Sequence, residues 1–257
     1  MMGLQNSISA SYKKITEFYE GKEIFWHRSP QLLLLKQSLK PLIAHHAKGR
    51  VLDAGAGASA YKPLFLKHAD DYLAIDLRYR DSLGCVADLT KLPLKQNTFN
   101  TIFCSQVLEH IRAPCKVIEE FYRILKPEGN LLLTVPHLSC YHELPHDYYR
   151  FTSKGIAFLL TEGGFKIIEL KECGGALSFL GHIFSYILLA VAGKIALLRT
   201  PLILINSIWV CLIAFIDSLA TRIINPAPGN IIVVAAKTNN DTALTREIMG
   251  KLPHNFP

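Results

Sequence analysis

The chain has 257 residues, of which 50% are hydrophobic and only 19% charged, with 28 lysines and arginines against 21 acids, a formal charge of +7 and a pI near 9.1. That length supports one α/β domain with attachments, and a basic surplus without any long basic run excludes a nucleic-acid partner in favour of a membrane surface. The six cysteines, at 85, 104, 115, 140, 173 and 211, show no paired spacing, which excludes a zinc ribbon or a disulfide scaffold and suits reduced, mostly buried thiols in the cytosol.

In chain order, Met1 to Ala10 holds no sustained apolar run after a basic start, so no cleavable signal is expected. Residues 1–47 read as N-terminal cap helices, broken near Ser29-Pro30 and by Pro41. Tyr12, Tyr19, Trp26 and His27 either pack this cap or close over a ligand.

Val51 to Tyr61 (VLDAGAGASAY) joins an apolar run, an acid and closely spaced glycines where a helix should begin. Gly55 and Gly57 lack a Cβ, so the backbone can turn tightly and approach a ligand while the following amides stay open to polar groups. Asp53 places a carboxylate at the strand end, suited to a cationic amino group. A second apolar run, Tyr72 to Leu77 (YLAIDL), ends in Asp76 about twenty residues after the glycines, where an acid meets ribose hydroxyls in doubly wound folds. The motif Gly55-x-Gly57-x-x-Ala60 also satisfies a loose dinucleotide fingerprint, so these residues alone leave a nicotinamide cofactor open.

The next segments settle the direction. Asp88-Leu89, Leu92-Pro93, Leu108 to His110 (LEH) and the turn Leu125 to Gly129 (LKPEG) follow in order. With the glycine motif they resemble the class I S-adenosylmethionine-dependent methyltransferases, in the small-molecule branch that includes quinone-biosynthesis enzymes, over roughly residues 48–171. The resemblance implies a Rossmann-like seven-stranded α/β sheet with an antiparallel last strand and S-adenosyl-L-methionine as cofactor. It places Asp53, Gly55 and Gly57 at the methionine part, Asp76 at the ribose, Asp88 and Leu89 at the adenine, and Ser105 and Gln106 beside the sulfonium and the acceptor. Ser59 departs from the pattern where many members carry a third glycine. Some quinone-type relatives bind a metal through an acid followed by Glu-His. Here Gln106 precedes Glu109-His110, and a neutral amide is a poor ligand for a hard cation, so no metal is expected.

After the fifth strand comes Pro136 to Thr152 (PHLSCYHELPHDYYRFT), the expected acceptor loop. A hydroxyl acceptor loses its proton as the methyl arrives, which suits an imidazole base. His146 is the first candidate, with Asp147 to orient an imidazole, Arg150 to hold an anionic acceptor, and His110, His137 and His142 as further candidates for base or substrate contact. The competing reading is structural: the loop is locked by hydrogen bonds and Thr152 caps the next helix. HDYYRFT is also similar to a subgroup associated with bacterial polysaccharide and glycan assembly.

Gly164 to Leu170 and Asn230 to Ala236 read as strands six and seven. Between them lies an apolar helical insertion, Ala176 to Ala220. Lys194, Arg199 and Pro201 divide it into arms of 17 and 15 residues, Leu177 to Gly193 and Leu202 to Ile216, about 25 Å and 22 Å long and short of a bilayer core. The expectation is a hairpin lying in one leaflet on the cytoplasmic face of a membrane, with a buried helical subdomain or an oligomer interface as the alternative. The domain plan is therefore 1–47 cap, 48–175 core, 176–229 membrane-associated hairpin, 230–237 last strand and 238–257 polar tail. The expected enzyme methylates a hydroxyl on a lipid-borne or otherwise apolar small molecule. The alternative from another class is a cofactor-binding protein without catalysis that joins a membrane complex.

Overall fold

A computed structural model describes residues 10–12, 14–15, 19, 22–223 and 227–238. The polar tail expected from 238 onward lies outside the described residues except for Thr238. The chain divides into two compact units, one of residues 42–135, 143–171 and 232–257, the other of residues 1–41, 136–142 and 172–231. The described residues of the N-terminal segment as far as Pro41 thus fall in the same unit as the insertion.

The first of these is built on a seven-stranded sheet: β1 (Gly49–Ala54), β2 (Ala69–Asp76), β3 (Cys85–Val86), β4 (Phe99–Ser105), β5 (Leu125–Pro136), β6 (Phe165–Cys173) and β7 (Asn230–Lys237). The spatial order is β3-β2-β1-β4-β5-β7-β6, with β7 antiparallel, as the resemblance implied. The β1–β2, β1–β4, β2–β3 and β4–β5 pairs are parallel. Strand order reverses between β1 and β4, so the crevice beyond Ala54 and Ser105 is the topological switch point where open α/β sheets bind ligands.

The central strands are apolar runs because both faces are covered. Val51, Leu52, Ile102, Phe103, Leu131, Leu132 and Leu133 are completely buried. The helix Pro114–Ile124 buries Val117, Ile118, Phe121 and Ile124, one face at helical spacing, and starts with proline where a missing N–H costs nothing. Its Glu120–Arg123 pair pins the Leu92-Pro93 step: Glu120 accepts from the Leu92 amide at 2.7 Å while Arg123 donates to the carbonyls of Leu92 and Leu94. The expected LKPEG turn survives as a bulge within β5, where Phe99 pairs with Leu125 but Thr101 pairs with Asn130. Thr152 caps the helix Ser153–Glu162, its Oγ1 accepting from the Gly155 amide at 3.0 Å.

The other unit is helical. We number its long helices α1 (Pro30–His46, whose last residues belong to the sheet unit), α2 (Ala176–Lys194) and α3 (Arg199–Ala220), preceded by a 3-10 turn Glu23–Arg28. The break expected at Pro41 does not occur, and α1 runs through it. Leu35, Leu39, Leu42 and Ile43 are buried on either side of the proline, and packing of that stripe outweighs the lost backbone hydrogen bond. The insertion is a helical hairpin whose arms are longer than its apolar composition suggested, 19 and 22 residues. Arg199 to Pro201 open α3 instead of interrupting it.

Polar side chains lie inside this unit. Asp217, 1% exposed, accepts from the amides of Gly175 at 2.8 Å and Ser178 at 3.0 Å, supplying the first turn of α2 with an acceptor and a negative charge. Asn206 donates to the carbonyl of His27 at 2.8 Å, and His182 Nδ1 meets Ser29 Oγ at 2.9 Å. Tyr12 lies 4.5 Å from Tyr186 between ring centroids, Tyr19 packs on the cluster of Ile15, Leu189 and Ile203, and Trp26 is buried edge-on to Phe25. These aromatic residues pack the helical unit. Of the six thiols, Cys104 and Cys173 are buried, Cys211 is exposed and the others are half-buried.

Candidate active site

The site assembles from strand ends. β1 delivers Asp53, 3% exposed, and the chain then turns through Gly55 and Gly57, both in the left-handed region at φ +77° and +52°. A Cβ on Gly55 would stand 2.5 Å from Val107, so glycine is required there twice over, by backbone and by space. Gly57 faces open space: no atom lies within 4 Å of where its Cβ would be. The Gly55 and Ala56 amides donate to the Ile75 carbonyl, and the Gly57 amide donates to Asp76 Oδ2 at 2.9 Å. Asp76 Oδ1 accepts from the Arg78 amide at 3.1 Å, so the second acid is oriented entirely by backbone. Ser59 adopts φ 55°, a left-handed conformation that glycine takes without strain, and its buried hydroxyl has no hydrogen-bond partner.

Asp53 is the electrostatic focus. Its Oδ2 accepts from the Tyr72 hydroxyl. Burial pushes its carboxyl up to about 7, the Tyr72 hydrogen bond pulls it down, and neighbouring Asp76 adds to the rise. A buried acid so disfavoured in its charged form invites a cation. Beyond β2, Asp88 Oδ1 accepts from both the amide and the hydroxyl of Thr90 at 2.8 Å, which leaves Leu89 buried beside it at 6% exposure.

Across the switch point, Ser105 and Gln106 converge on Thr134 of β5, a residue the sequence reading missed. Ser105 Oγ lies 2.8 Å from Thr134 Oγ1, the Gln106 side chain donates to the same hydroxyl at 3.2 Å, and the Gln106 amide donates to the Thr134 carbonyl at 3.0 Å. The signal was present in Leu131 to Pro136 as one hydroxyl in an otherwise apolar run. Gln106 sits at φ 57°, a non-glycine residue held in a strained conformation at the strand end.

The HDYYRFT segment is locked by its own bonds. The carbonyl of Glu109 accepts from the amides of Tyr148 and Tyr149 at 2.8 and 3.3 Å. His110 Nδ1 meets the His146 carbonyl at 2.7 Å; a carbonyl only accepts, so Nδ1 carries the proton and Nε2 is the basic nitrogen of the neutral ring. Asp147, expected to orient an imidazole, gives its buried carboxylate to a two-pronged bond from Arg150 at 2.6 and 2.8 Å. That pairing engages the guanidinium expected to hold an acceptor, which also donates to the Tyr149 carbonyl. His146 is exposed, and its Nδ1 lies 2.8 Å from the Tyr148 hydroxyl, itself held by Arg112 at 3.0 Å. His137 and His142 fall among the residues of the helical unit. There the His137 amide donates to Gly229, and His142 Nδ1 donates to the Cys140 carbonyl at 3.1 Å.

A family model described as a methyltransferase domain matches residues 25–170, more than half of the chain. The chain belongs to this methyltransferase family. Its enzymes use S-adenosyl-L-methionine, and the residues present fit that cofactor: a buried acid without a cation partner among the described residues, a glycine turn facing open space, and a second acid fixed by backbone amides. An uncharacterized protein of Methanocaldococcus jannaschii is 36% identical over 91 residues, covering 33% of this chain and 40% of that protein. The demethylmenaquinone methyltransferase of Renibacterium salmoninarum is 30% identical over 94 residues with the same coverages. The chain thus spans about two fifths of the length of these relatives. Among solved structures the [4+2]-cyclase SpnF matches with a TM-score of 0.55 and 18% identity over 79% of this chain and 81% of that one, a likeness of fold.

Proposed function

We propose that this methyltransferase acts on a hydroxyl of a lipid-borne small molecule, with a lipid-linked glycan as first choice, at the cytoplasmic surface of a membrane. The observation that carries this reading is the outer face of the α2–α3 hairpin. Leu180, Phe184, Ile187 and Val191 of α2 and Leu204, Ile208, Leu212, Phe215 and Leu219 of α3 form two helical stripes, and each of these side chains is 38–71% exposed. Apolar surface of that extent and continuity supports a contact with lipid or another apolar partner.

Helices of 19 and 22 residues reach about 28 Å and 33 Å, so length alone permits crossing. Both ends return to neighbouring strands of one sheet, so the number of crossings is even. Two features favour a hairpin lying in one leaflet over one crossing twice. Lys194 and Arg199 sit at the tip. The inner face is bonded to a segment that carries Glu23, Arg28 and Lys36, charges a crossing hairpin would draw into hydrocarbon.

When bound, the cofactor supplies an electrophilic methyl group on a positively charged sulfur. On the protein side, Asp53, Gly57 and Asp76 hold the donor end, and Ser105 with Gln106 line the crevice at the switch point. His146 stands ready to accept the proton of the hydroxyl, with Tyr148 setting its ring; His110, with its basic Nε2, is the second candidate.

Mass spectrometry of lipid extracts incubated with the protein and methyl-labelled S-adenosylmethionine tests the reading, with a labelled saccharide-bearing lipid expected. A labelled prenylated ring would favour instead a quinone-type acceptor, a reading supported by the match to demethylmenaquinone methyltransferase. The protein should float with vesicles containing anionic lipid, and protein remaining at the bottom of the gradient would sink the membrane assignment. Labelling of a Leu197→Cys variant by an impermeant reagent from outside intact cells would overturn the single-leaflet arrangement.

A further inference from the structure

The acid at the end of β1 is held from the strand beside it. In the parallel β1–β2 ladder Tyr72 pairs with Val51 and Ala74 with Asp53. Tyr72 therefore shares a face with Asp53, two residues further along, the diagonal that a long aromatic side chain can span. Its hydroxyl donates to Asp53 Oδ2. The ring is braced by Phe65, 6.0 Å away between centroids, and by Lys62, whose Nζ stands 5.7 Å from the ring centre.

We propose that Tyr72 is a positioning residue for the amino-acid end of the cofactor, fixing the orientation in which the Asp53 carboxylate receives the cofactor's ammonium group. The hydroxyl is a permanent donor, because burial and the adjacent Asp53 charge push its own proton loss far above the ordinary range. Donation to one oxygen favours the ionised carboxylate and opposes the two effects that favour the protonated acid, burial and the charge of Asp76. The other groups facing the pair are the Cys104 thiol, which burial and the charges of Glu109 and Asp53 keep protonated, and the Lys62 ammonium on the far side of the tyrosine ring. This inference concerns the donor side alone and stands whether the acceptor is a glycan, a quinone or neither.

The test is calorimetry on the full chain with two probes, S-adenosylhomocysteine and methylthioadenosine, which share the nucleoside while only the first carries the ammonium. For the wild type, the preference for S-adenosylhomocysteine should rise from about pH 5.5 to about pH 8, as Asp53 ionises. A preference that stays flat, or no preference at all, overturns the proposal without any variant being made. In Tyr72→Phe the affinity for S-adenosylhomocysteine should fall about tenfold at neutral pH, the size of a lost hydrogen bond to a charged group. The rise in preference should move to higher pH, and methylthioadenosine should bind as before. Asp53→Asn should abolish the pH dependence, and adding Tyr72→Phe to it should cost nothing more, since the two residues act as one unit. Equal weakening of both probes would make Tyr72 a packing residue and overturn the assignment, as would an unchanged pH profile.

Discussion

The two units treat buried charge in opposite ways. In the helical unit every oxygen of Asp217 is answered by backbone amides, and the surface left over is apolar. In the sheet unit the loop acid Asp147 is answered by Arg150, while Asp53 has a tyrosine and no cation, and burial holds its carboxyl near 7. Both units bury oxygens without a hydrogen-bond partner, Ser185 Oγ and Asn206 Oδ1 in the helical unit and Ser59 Oγ in the sheet unit, so the difference lies in the acids: Asp217 is held by amides, and Asp53 has no cation among the described residues. The contrast separates two kinds of incompleteness, a surface suited to an apolar medium and a pocket suited to a charged ligand.

Removing an internal partner should break this contrast most sharply. Arg150→Ala leaves the fully buried Asp147 carboxylate unpaired, and denaturant unfolding should show a loss of about 3–5 kcal/mol. If Arg150 held the acceptor instead, stability would be unchanged and only KM would rise. In the helical unit Asp217→Ala removes the side-chain acceptor of the Ser178 amide and leaves the Gly175 amide only Ser178 Oγ at 3.0 Å, with an expected loss of about 1–3 kcal/mol and faster proteolysis within the hairpin. Cofactor binding should survive that change if the sheet unit is complete in itself.

Gly55→Ala adds a strained backbone and a clash with Val107, so a loss of about 2 kcal/mol and of cofactor affinity is expected by calorimetry. The pH response is smaller. An acid whose folded pKa is raised stabilises the fold below the ordinary carboxyl range and loses that contribution as pH climbs to its folded value. The melting temperature of the cofactor-free protein should therefore fall by a few degrees between about pH 4 and about pH 7 on account of Asp53, less so in Asp53→Asn. Smallest of all, Ile208→Ser on the exposed stripe should alter stability by less than about 0.5 kcal/mol. The same change should weaken flotation with vesicles, which makes it the sharpest separator of outer-face function from inner-face folding.

The strand ends and the glycine turn of the sheet unit were legible because local sequence makes them. A run such as VLDAGAG needs only its own residues to make a strand, a carboxylate and a turn with positive φ, and the ordered acids Asp76 and Asp88 repeat that logic at the next two strand ends. Asn230–Lys237 was legible as an apolar strand, while its antiparallel return came from the family resemblance and not from its own residues. The apolar insertion announced itself by composition alone.

Only the tertiary structure decided which groups answer one another. Asp147 sits next to His146 in sequence yet turns to Arg150, because a guanidinium three residues on matches a carboxylate with two bonds at once. Tyr72 reaches Asp53, and Thr134 gathers Ser105 and Gln106, through strand register, which brings together residues 19 and about 30 positions apart and leaves no local trace. Pro41 lies inside a helix because the buried leucines around it outweigh one missing hydrogen bond. The sequence by itself determined the elements and the chemistry available at their ends; pairing across strands and helices, where long-range packing overrides local preference, determined how that chemistry is arranged.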